Sequence, residues 1–482
     1  MLAEFWARLK MVEPGLEVFD DLDDGLVSAD RLVPLYMHGD GGRTYKHAEL
    51  MVVQFQPAIG HGSSQSRMFN PHAAGVSLRG HSFTTRFLVG VMQKHVYSES
   101  PEKFHFFLEE VAKDFANLYY GGIWHTRLET TFHFCLIGCK GDFPFIRMAA
   151  GMNRSFLNIR KRPMGRYSQP LVGCCWLCRA GTDDVPFEDV SDNPKWLETM
   201  GPENHLPWDK VPPFLEHVRC NQVDKPSFFK YDLLHLYHLG VGRDFAGSGL
   251  TYMLRHYQDS VPNSLEKMNA DFKAFLKANG QVVHFQQFTR DILGYIGDKD
   301  YPVGHWSKAT DTPVVVEFLG WLAEKFGHQD RPDVLIRSAA KAIAVCVRLL
   351  LESSLWMDKK YAKRAGEAAL HFVQCYGKLA HCFWKRHEIL FNLVPKLHGV
   401  HHLAMHLIQG ARLRITLNPL AFATFQDEDF IGRVSRLSRR VSPRLLAKRT
   451  IQRYLLATCQ ELEHLEENGL AKSKVRAKRR RV

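Results

Sequence analysis

The chain has 482 residues, 45% hydrophobic and 24% charged, which is the composition of a globular protein large enough for two or three structural units. No apolar run reaches the roughly 18 residues that a membrane-spanning helix needs, and the first residues, MLAEFWARLKMVEPG, lack a signal-peptide pattern. Ten dispersed cysteines indicate a reducing compartment rather than a disulfide framework.

The formal net charge of +12 is concentrated near the C-terminus. From Phe430 to Val482 there are 15 Lys and Arg against 4 Glu, so nearly the whole excess lies in this last part of the chain. Such a field attracts a polyanion, and nucleic acid is the usual one. The final stretch, AKSKVRAKRRRV, also fits a nuclear-import signal, which predicts a nuclear location. The alternative is a solvated tail that only aids solubility.

The predicted elements begin after an acidic, irregular segment at residues 1–30. Residues 31–180 predict three strands, a helix in SPEKFHFFLEEVAKDFANLYYGG, a fourth strand in TTFHFCLIGC, a short helix and a fifth strand in QPLVGCCWLC. The order β-β-β-α-β-α-β is the one expected of an RNase H-like α/β fold, with a three-strand meander followed by parallel strands joined through helices. We therefore expect residues 31–180 to form the first part of such a core.

The second half of the sequence predicts helices. Residues 181–415 read as a mainly α-helical insertion that opens with a Pro- and Asp-rich loop, and two Ala/Leu-rich runs in it have clear helical periodicity. Residues 416–456 predict returning basic helices that complete the core, and 457–482 a basic tail. The expected fold class is α/β, an RNase H-like mixed sheet with a large all-α insertion before the last catalytic helix.

Three acids lie where this topology could bring them together. Asp40 closes the first strand, Asp142 closes the fourth, and Glu428 opens a helix after the insertion. Converging carboxylates are costly unless cations neutralise them, and they would suit two Mg²⁺ or Mn²⁺ ions acting on a phosphodiester. Taken singly, Asp40 also fits a turn aspartate and Glu428 a negative first helical turn. Because Asp427 and Asp429 flank Glu428, the choice among the three acids stays open.

A family resemblance connects these residues. The series GDFP, CWLC, YDLLHLYHLGVGRD, KLHGVHHLAMHL and EDFIGR resembles the motif order of the CACTA (En/Spm) transposases, a branch of the DDE/D cut-and-paste enzymes. The resemblance spans roughly residues 31–456 and gives Asp40, Asp142 and Glu428 the first, second and third catalytic positions. It implies Mg²⁺-dependent cleavage and strand transfer at transposon DNA ends by a DDE-type two-metal mechanism.

Three features depart from that family pattern. The chain begins almost directly at the first strand, without the usual upstream DNA-recognition region. The second and third acids are separated by 428 − 142 = 286 residues, which requires a large inserted domain. The Gly-x-Gly setting of Asp40 is a loose match. A truncated or host-adopted relative is therefore an alternative, in which a catalytically degenerate protein still binds DNA.

Cysteines and histidines suggest a second metal site. Cys175 and Cys178 have zinc-knuckle spacing, although no second pair follows nearby. The resemblance implies that this pair and the DLLHLYH histidines act as a set, so we expect a structural Zn²⁺ held by Cys175, Cys178, His235 and His238. The fourth ligand stays open between His238 and a histidine of KLHGVHHLAMH.

Each of these groups could also have a purely structural role. The cysteines could be buried small hydrophobes. His398, His402 and His406 recur at i, i+4 and i+8, which fits the polar edge of a packed helix as well as a metal site. A third interpretation of the whole chain follows, a zinc-stabilised interaction protein whose basic tail only directs nuclear localisation.

A basic stripe predicts the DNA-facing surface. On one predicted helix Arg433, Arg436, Arg440 and Arg444 recur beside an apolar stripe, and Lys448 continues it. Because the charge has one sign, we expect salt-sensitive contacts to the phosphates of double-stranded DNA. No GxGxxG or Walker loop is present, so no nucleotide cofactor is predicted, and a homodimer is one option for the assembly.

Overall fold

A computed structural model describes residues 1–44, 49–160, 165, 166, 168–201, 206–295, 297, 299–327 and 329–479, with side chains as far as residue 468. Residues 480–482 of the predicted basic tail, and the side chains that carry its charge, lie outside this description. Within the described residues no helix combines the length and the apolar character needed to cross a membrane.

One mixed sheet organises the first half of the chain. Its strand order is β3-β2-β1-β5-β4, with β6 pairing on β5, and a separate pair is formed by β7 and β8. The antiparallel meander β1-β2-β3 continues through a parallel β1–β5 pair, and β6 is also parallel to β5. The strands are β1 (Leu32–Arg43), β2 (Glu49–Pro57), β3 (Phe87–Gln93), β4 (Ile123–His125), β5 (Thr130–Gly141), β6 (Phe229–Lys230), β7 (Trp356–Met357) and β8 (Thr416–Leu417).

Helices cover this sheet and form most of the second half. The α-helices are α1 (Leu2–Val12), α2 (Val18–Asp23), α3 (Ser64–Phe69), α4 (Ser82–Thr85), α5 (Lys94–Glu99), α6 (Pro101–Tyr120), α7 (Phe143–Ala150), α8 (Gly242–Met253), α9 (Val261–Asn279), α10 (Arg290–Leu293), α11 (Asp311–Phe326), α12 (Arg331–Glu352), α13 (Lys359–Lys385), α14 (Pro395–Arg412), α15 (Phe425–Leu437) and α16 (Leu446–Arg479). A π-helix at Leu234–Val241 leads into α8.

Several predicted elements are confirmed. The helix predicted after the third strand is α6, which begins with Pro101 and buries Phe104, Leu108 and Phe115 against the sheet core. The two Ala/Leu-rich runs form α12 and α13, which pack on each other, and α13 also packs on α14. The chain is therefore a mixed α/β protein whose sheet is built from its first half.

Two local predictions were wrong. Residues 1–30, expected to be irregular, include α1 and α2, and α1 buries Trp6, whose indole nitrogen donates to the Leu32 carbonyl. The stretch QPLVGCCWLC is not a fifth strand. Its backbone closes on itself, with the Cys174 amide donating to the Ala180 carbonyl, and β6 takes the position beside β5.

The basic C-terminal segment forms two helices, as the predicted returning helices do, but the arginine stripe expected on a single helix is interrupted between them. Helix α15 ends at Leu437, Arg440 has a φ of +57°, and α16 starts only at Leu446. Helix α15 packs on β1 and β2 and α16 on β3, and the two helices share a second apolar cluster with the sheet, formed by Leu50, Val52, Phe83, Phe430, Ile431, Val434, Leu446 and Tyr454. This cluster fixes α15 against the sheet.

Candidate carboxylate and metal sites

The first two predicted acids leave adjacent strands together. Gly39 of β1 pairs with Gly141 of β5 in parallel register, so Asp40 and Asp142 follow side by side. Both glycines are needed for space, because a Cβ atom on either would overlap the ring of Phe145 from α7. Asp142 also caps α7, with its Oδ1 accepting the Phe145 amide at 2.7 Å. Asp142 therefore has a structural role as a helix cap, and the residues around it indicate whether it also has a functional one.

Glu428 reaches this pair from the first turn of α15. Burial, followed by the charge of Asp40, raises the pKa of Glu428 to about 8. Burial and the charge of Asp142 raise the pKa of Asp40 to about 6. Burial also raises the pKa of Asp142. Asp40 thus lies near both Asp142 and Glu428 in one partly desolvated group.

A histidine–aspartate pair borders the carboxylates. The Nδ1 atom of His235 lies 2.5 Å from Oδ2 of Asp232, and its Nε2 atom lies 3.8 Å from Oε1 of Glu428. Although burial lowers the pKa of His235, Asp232 raises it to about 9, so the imidazole is cationic at neutral pH. Asp232 is held in turn by the amide and hydroxyl of Thr424 at 3.0 and 2.6 Å. His235 therefore belongs to the carboxylate site.

The neighbouring acid Asp427 faces the protein interior. Its carboxylate lies 3.0 Å from Nζ of Lys140 and 3.3 Å from Nε of Arg86, and it accepts a hydrogen bond from Gln54 at 2.6 Å. Despite its burial, Lys140 and then Arg86 hold the pKa of Asp427 far below its ordinary range. This ion cluster was not predicted from the sequence, although a lysine in the otherwise apolar strand sequence FCLIGCKG was a signal for it.

A buried cysteine–histidine group is the second site. The ligand atoms of Cys175, Cys178, His398 and His402 all lie within 4.8 Å of one another, and this group could hold a metal ion. His402 Nε2 is 3.5 Å from Sγ of Cys175 and 3.4 Å from Sγ of Cys178, while His398 Nε2 is 3.3 Å from Cys178. Among the described residues it is the one group with this geometry, and the three carboxylates do not form another.

The surroundings of the group stabilise a thiolate at Cys175, whereas burial and the neighbouring Cys175 raise the pKa of Cys178. The amides of Leu177 and Ala180 donate to the two sulfurs at 3.3 and 3.5 Å. Although burial opposes ionisation, Cys178 and His402 hold the pKa of Cys175 well below the ordinary thiol value. The Trp196 ring lies against His398 and His402 and closes the site from solvent.

The histidine pair predicted for zinc is therefore corrected. His235 points to Asp232 and Glu428, and Nδ1 of His238 lies 3.3 Å from the Ala309 carbonyl while its ring packs on Phe425. The two histidines beside the cysteines come instead from α14, the helix that carries the KLHGVHHLAMH histidines left open as a source of the fourth ligand. His406, one turn further, bonds the Leu417 carbonyl at 3.1 Å and stays outside the group.

The cations predicted to bind DNA are distributed over three elements instead of one helix. Arg433, on α15, is paired with Asp429 at 2.7 Å and lies 2.8 Å from His81. Arg436, Arg440, Arg444 and Lys448 are exposed on the end of α15, the connecting turn and the start of α16. A basic surface remains, but the even spacing in the sequence does not describe it.

Comparison with protein-family models gives no match to this chain, and a search of curated proteins gives none.

Proposed function

We propose that the protein is a DDE-type transposase-like nuclease, with an RNase H-like core, that cleaves phosphodiesters and transfers strands at DNA ends. The observation that carries the proposal is the position of Asp40, which lies in a strand paired with the one that leads into Asp142 and is close enough to Glu428 to perturb its pKa, although the three acids come from distant parts of the sequence. Neighbouring buried carboxylates are costly, and such costly groups are typical of functional sites.

The cluster suits Mg²⁺ or Mn²⁺, which we propose as a pair of ions. Hard divalent ions prefer carboxylate oxygens, and Oε1 of Glu428 is buried without a hydrogen-bond partner. Asp40, Asp142 and Glu428 would hold the ions. When bound, they supply Lewis acidity and lower the pKa of an attacking water or 3′-hydroxyl.

The chain's own groups prepare this site. Asp142 is fixed by its cap on α7, and Glu428 by the neighbouring Asp427 ion cluster. His235, oriented by Asp232, keeps a positive charge beside the acids. That charge reduces the repulsion between carboxylates before cations arrive, and it favours an approaching phosphate.

For the second site we infer a structural Zn²⁺ held by Cys175, Cys178, His398 and His402. Two sulfurs and two imidazoles are a common complete tetrahedral set, which leaves no open position for catalysis. The ligands come from a loop beside the sheet and from α14, so the ion would tie the helical half to the sheet. In the loop, Trp176 is buried and its indole nitrogen bonds the Phe229 carbonyl of β6 at 3.0 Å.

Double-stranded DNA in the nucleus is the proposed target. Support comes from the exposed cations after Arg433 and the excess positive charge of the last residues. These contacts would be to phosphates and would carry little sequence information.

A cleavage assay tests the catalytic proposal. Purified protein with Mn²⁺ or Mg²⁺ should nick supercoiled DNA, and Asp40→Asn, Asp142→Asn and Glu428→Gln should each abolish nicking. Asp429→Asn, which changes the exposed acid next to Glu428, is the matched control and should stay active. Equal nicking by Asp142→Asn and the unchanged protein would refute the assignment.

One observation favours a catalytically degenerate, DNA-binding relative as the second candidate. The carboxylate oxygens of the three acids do not all lie within 4.8 Å of one another, whereas the ligand atoms of the cysteine–histidine group do. If metal-dependent nicking is absent while salt-sensitive DNA binding persists, this candidate replaces the first. Absence of both would favour the third candidate, a zinc-stabilised interaction protein.

A further inference from the structure

Helix α16 leaves the body of the protein while still carrying apolar residues. Its first half is anchored by buried Leu446, Thr450 and Tyr454, and the Tyr454 hydroxyl accepts the Leu88 amide at 3.2 Å. Further along the helix, Oε1 of Glu461 lies 3.6 Å from Nε2 of His81. Every described side chain from residue 462 to 468 is exposed.

A regular apolar stripe crosses from the anchored half to the free half. Ile451, Leu455, Thr458, Leu462 and Leu465 follow one another at spacings of 4, 3, 4 and 3 residues. This is the seam pattern of a coiled coil. Leu455, Leu462 and Leu465 are 55%, 44% and 50% exposed, so the described part of the chain leaves much of each side chain uncovered. A helix with such a face is stabilised by packing it against another helix.

We propose that this seam pairs with the same seam of a second copy, in antiparallel orientation, to form a homodimer. A two-fold axis near residue 460 places Leu455 opposite Leu465 of the second copy, and Thr458 opposite Leu462 of the second copy. The free half of each helix then lies on the anchored half of the other. The single two-fold rotation thus covers each exposed leucine of the seam, as an isologous interface requires.

Charge selects the antiparallel arrangement over the parallel one. Parallel helices would place Glu461 beside Glu466 of the second copy and would bring the two basic C-terminal tails together. The antiparallel pair puts Gln452 beside Glu466 of the second copy, leaves a single like-charge contact, between Glu461 and Glu461 of the second copy, where the parallel pair has two, and separates the tails. Each tail then passes near Arg444–Arg449 of the other chain, so association should strengthen when salt rises from about 0.05 M to about 0.5 M.

Solution measurements on the full chain test this interface. Two heptads form a small contact, so sedimentation velocity should show a dimer that grows with protein concentration over about 1–100 μM. The double variant Leu462→Lys, Leu465→Lys should be monomeric across this range. Leu456→Lys is the matched control, since Leu456 is 68% exposed on the same helix but lies off the seam. All three side chains are exposed, so near-UV circular dichroism should be unchanged.

Cross-linking tests the orientation. Cys459 is the one fully exposed cysteine of the ten, and the antiparallel pair places it beside Cys459 of the second copy. A short bismaleimide should join two chains through Cys459. In a Cys459→Ser background, a mixture of Gln452→Cys and Glu466→Cys chains should cross-link to each other, because parallel helices would hold these positions about 21 Å apart.

Specific outcomes would overturn the proposal. They are a monomer at every concentration, a dimer that survives the double lysine variant, or cross-linking of Gln452→Cys chains only with themselves.

Discussion

Asp427 and Glu428 are consecutive residues of α15, yet their carboxylates face different surroundings. Asp427 is buried between Lys140 and Arg86, and Glu428 meets Asp40 at the end of β1. The turn of about 100° per helical residue separates the two directions. Because Lys140 lies two residues before Asp142 in the same chain segment, the ion cluster fixes α15 relative to the strand that carries the second acid.

Removing one partner of this cluster should destabilise the protein strongly. In Lys140→Met the buried Asp427 carboxylate keeps the Gln54 hydrogen bond but only one salt-bridge partner, Arg86, and we expect a loss of about 3–5 kcal/mol in the free energy of unfolding. Asp429→Asn removes an exposed acid of the same turn and should cost no more than about 0.5 kcal/mol. Urea unfolding of both variants measures the contrast, and similar losses would contradict the structural role given to Asp427.

The carboxylate cluster should make stability depend on pH. Glu428 has a pKa of about 8 in the folded chain and an ordinary value of 4.5 when unfolded. Between these values the folded state binds more protons than the unfolded state, so the free energy of unfolding falls as pH rises. In EDTA, Glu428→Gln should remove part of this fall, about 1–2 kcal/mol between pH 5 and 7 after allowing for solvent screening.

The metal proposal adds a second requirement to that experiment. Millimolar Mg²⁺ or Mn²⁺ should restore stability at pH 8 in the unchanged protein, because the ions replace the missing protons. Glu428→Gln should respond less, and Asp429→Asn should respond like the unchanged protein. An equal response from Glu428→Gln would count against this residue as a metal ligand.

The sequence predicted the parts of the fold that depend on local pattern. Helix α6 has a Ser-Pro start, an apolar period and a glycine end, and each of these acts within a few residues. The adjacency of Asp40 and Asp142 could also be predicted, because strand order follows from the alternation of strands and helices. Those inferences need no knowledge of distant contacts.

Other features depend on tertiary packing and could not be read locally. The apolar sequence QPLVGCCWLC suggests a strand, but its cysteines face His398 and His402, which lie more than 200 residues further along the chain. His235 has the spacing of a ligand and the environment of an ion-pair partner, because Thr424 positions Asp232 beside it. The regular spacing of the C-terminal arginines does not correspond to one helix, because Leu446 and Tyr454 of α16 are buried in the second apolar cluster.

The cysteine–histidine group gives a clear metal prediction. Purified protein should contain about one zinc per chain, and Cys178→Ser or His402→Ala should lose it and lower the melting temperature. Cys174→Ser is the matched control, because Cys174 is buried beside the group but is not a member of it. His238→Ala should also keep its zinc. Elemental analysis decides, and zinc loss in His238→Ala would restore the ligand set expected from the sequence.

DNA binding should separate the exposed cations from the paired one. Each phosphate contact that is removed should lower the slope of log K against log salt by nearly 1. We expect this change for Arg436→Ala, Arg444→Ala and Lys448→Ala, whose side chains are exposed. Arg433→Ala should change the slope less, because its guanidinium already lies beside Asp429 and His81. Fluorescence anisotropy over a salt series measures the four slopes, and a larger effect from Arg433 would mean that DNA displaces Asp429 from this arginine.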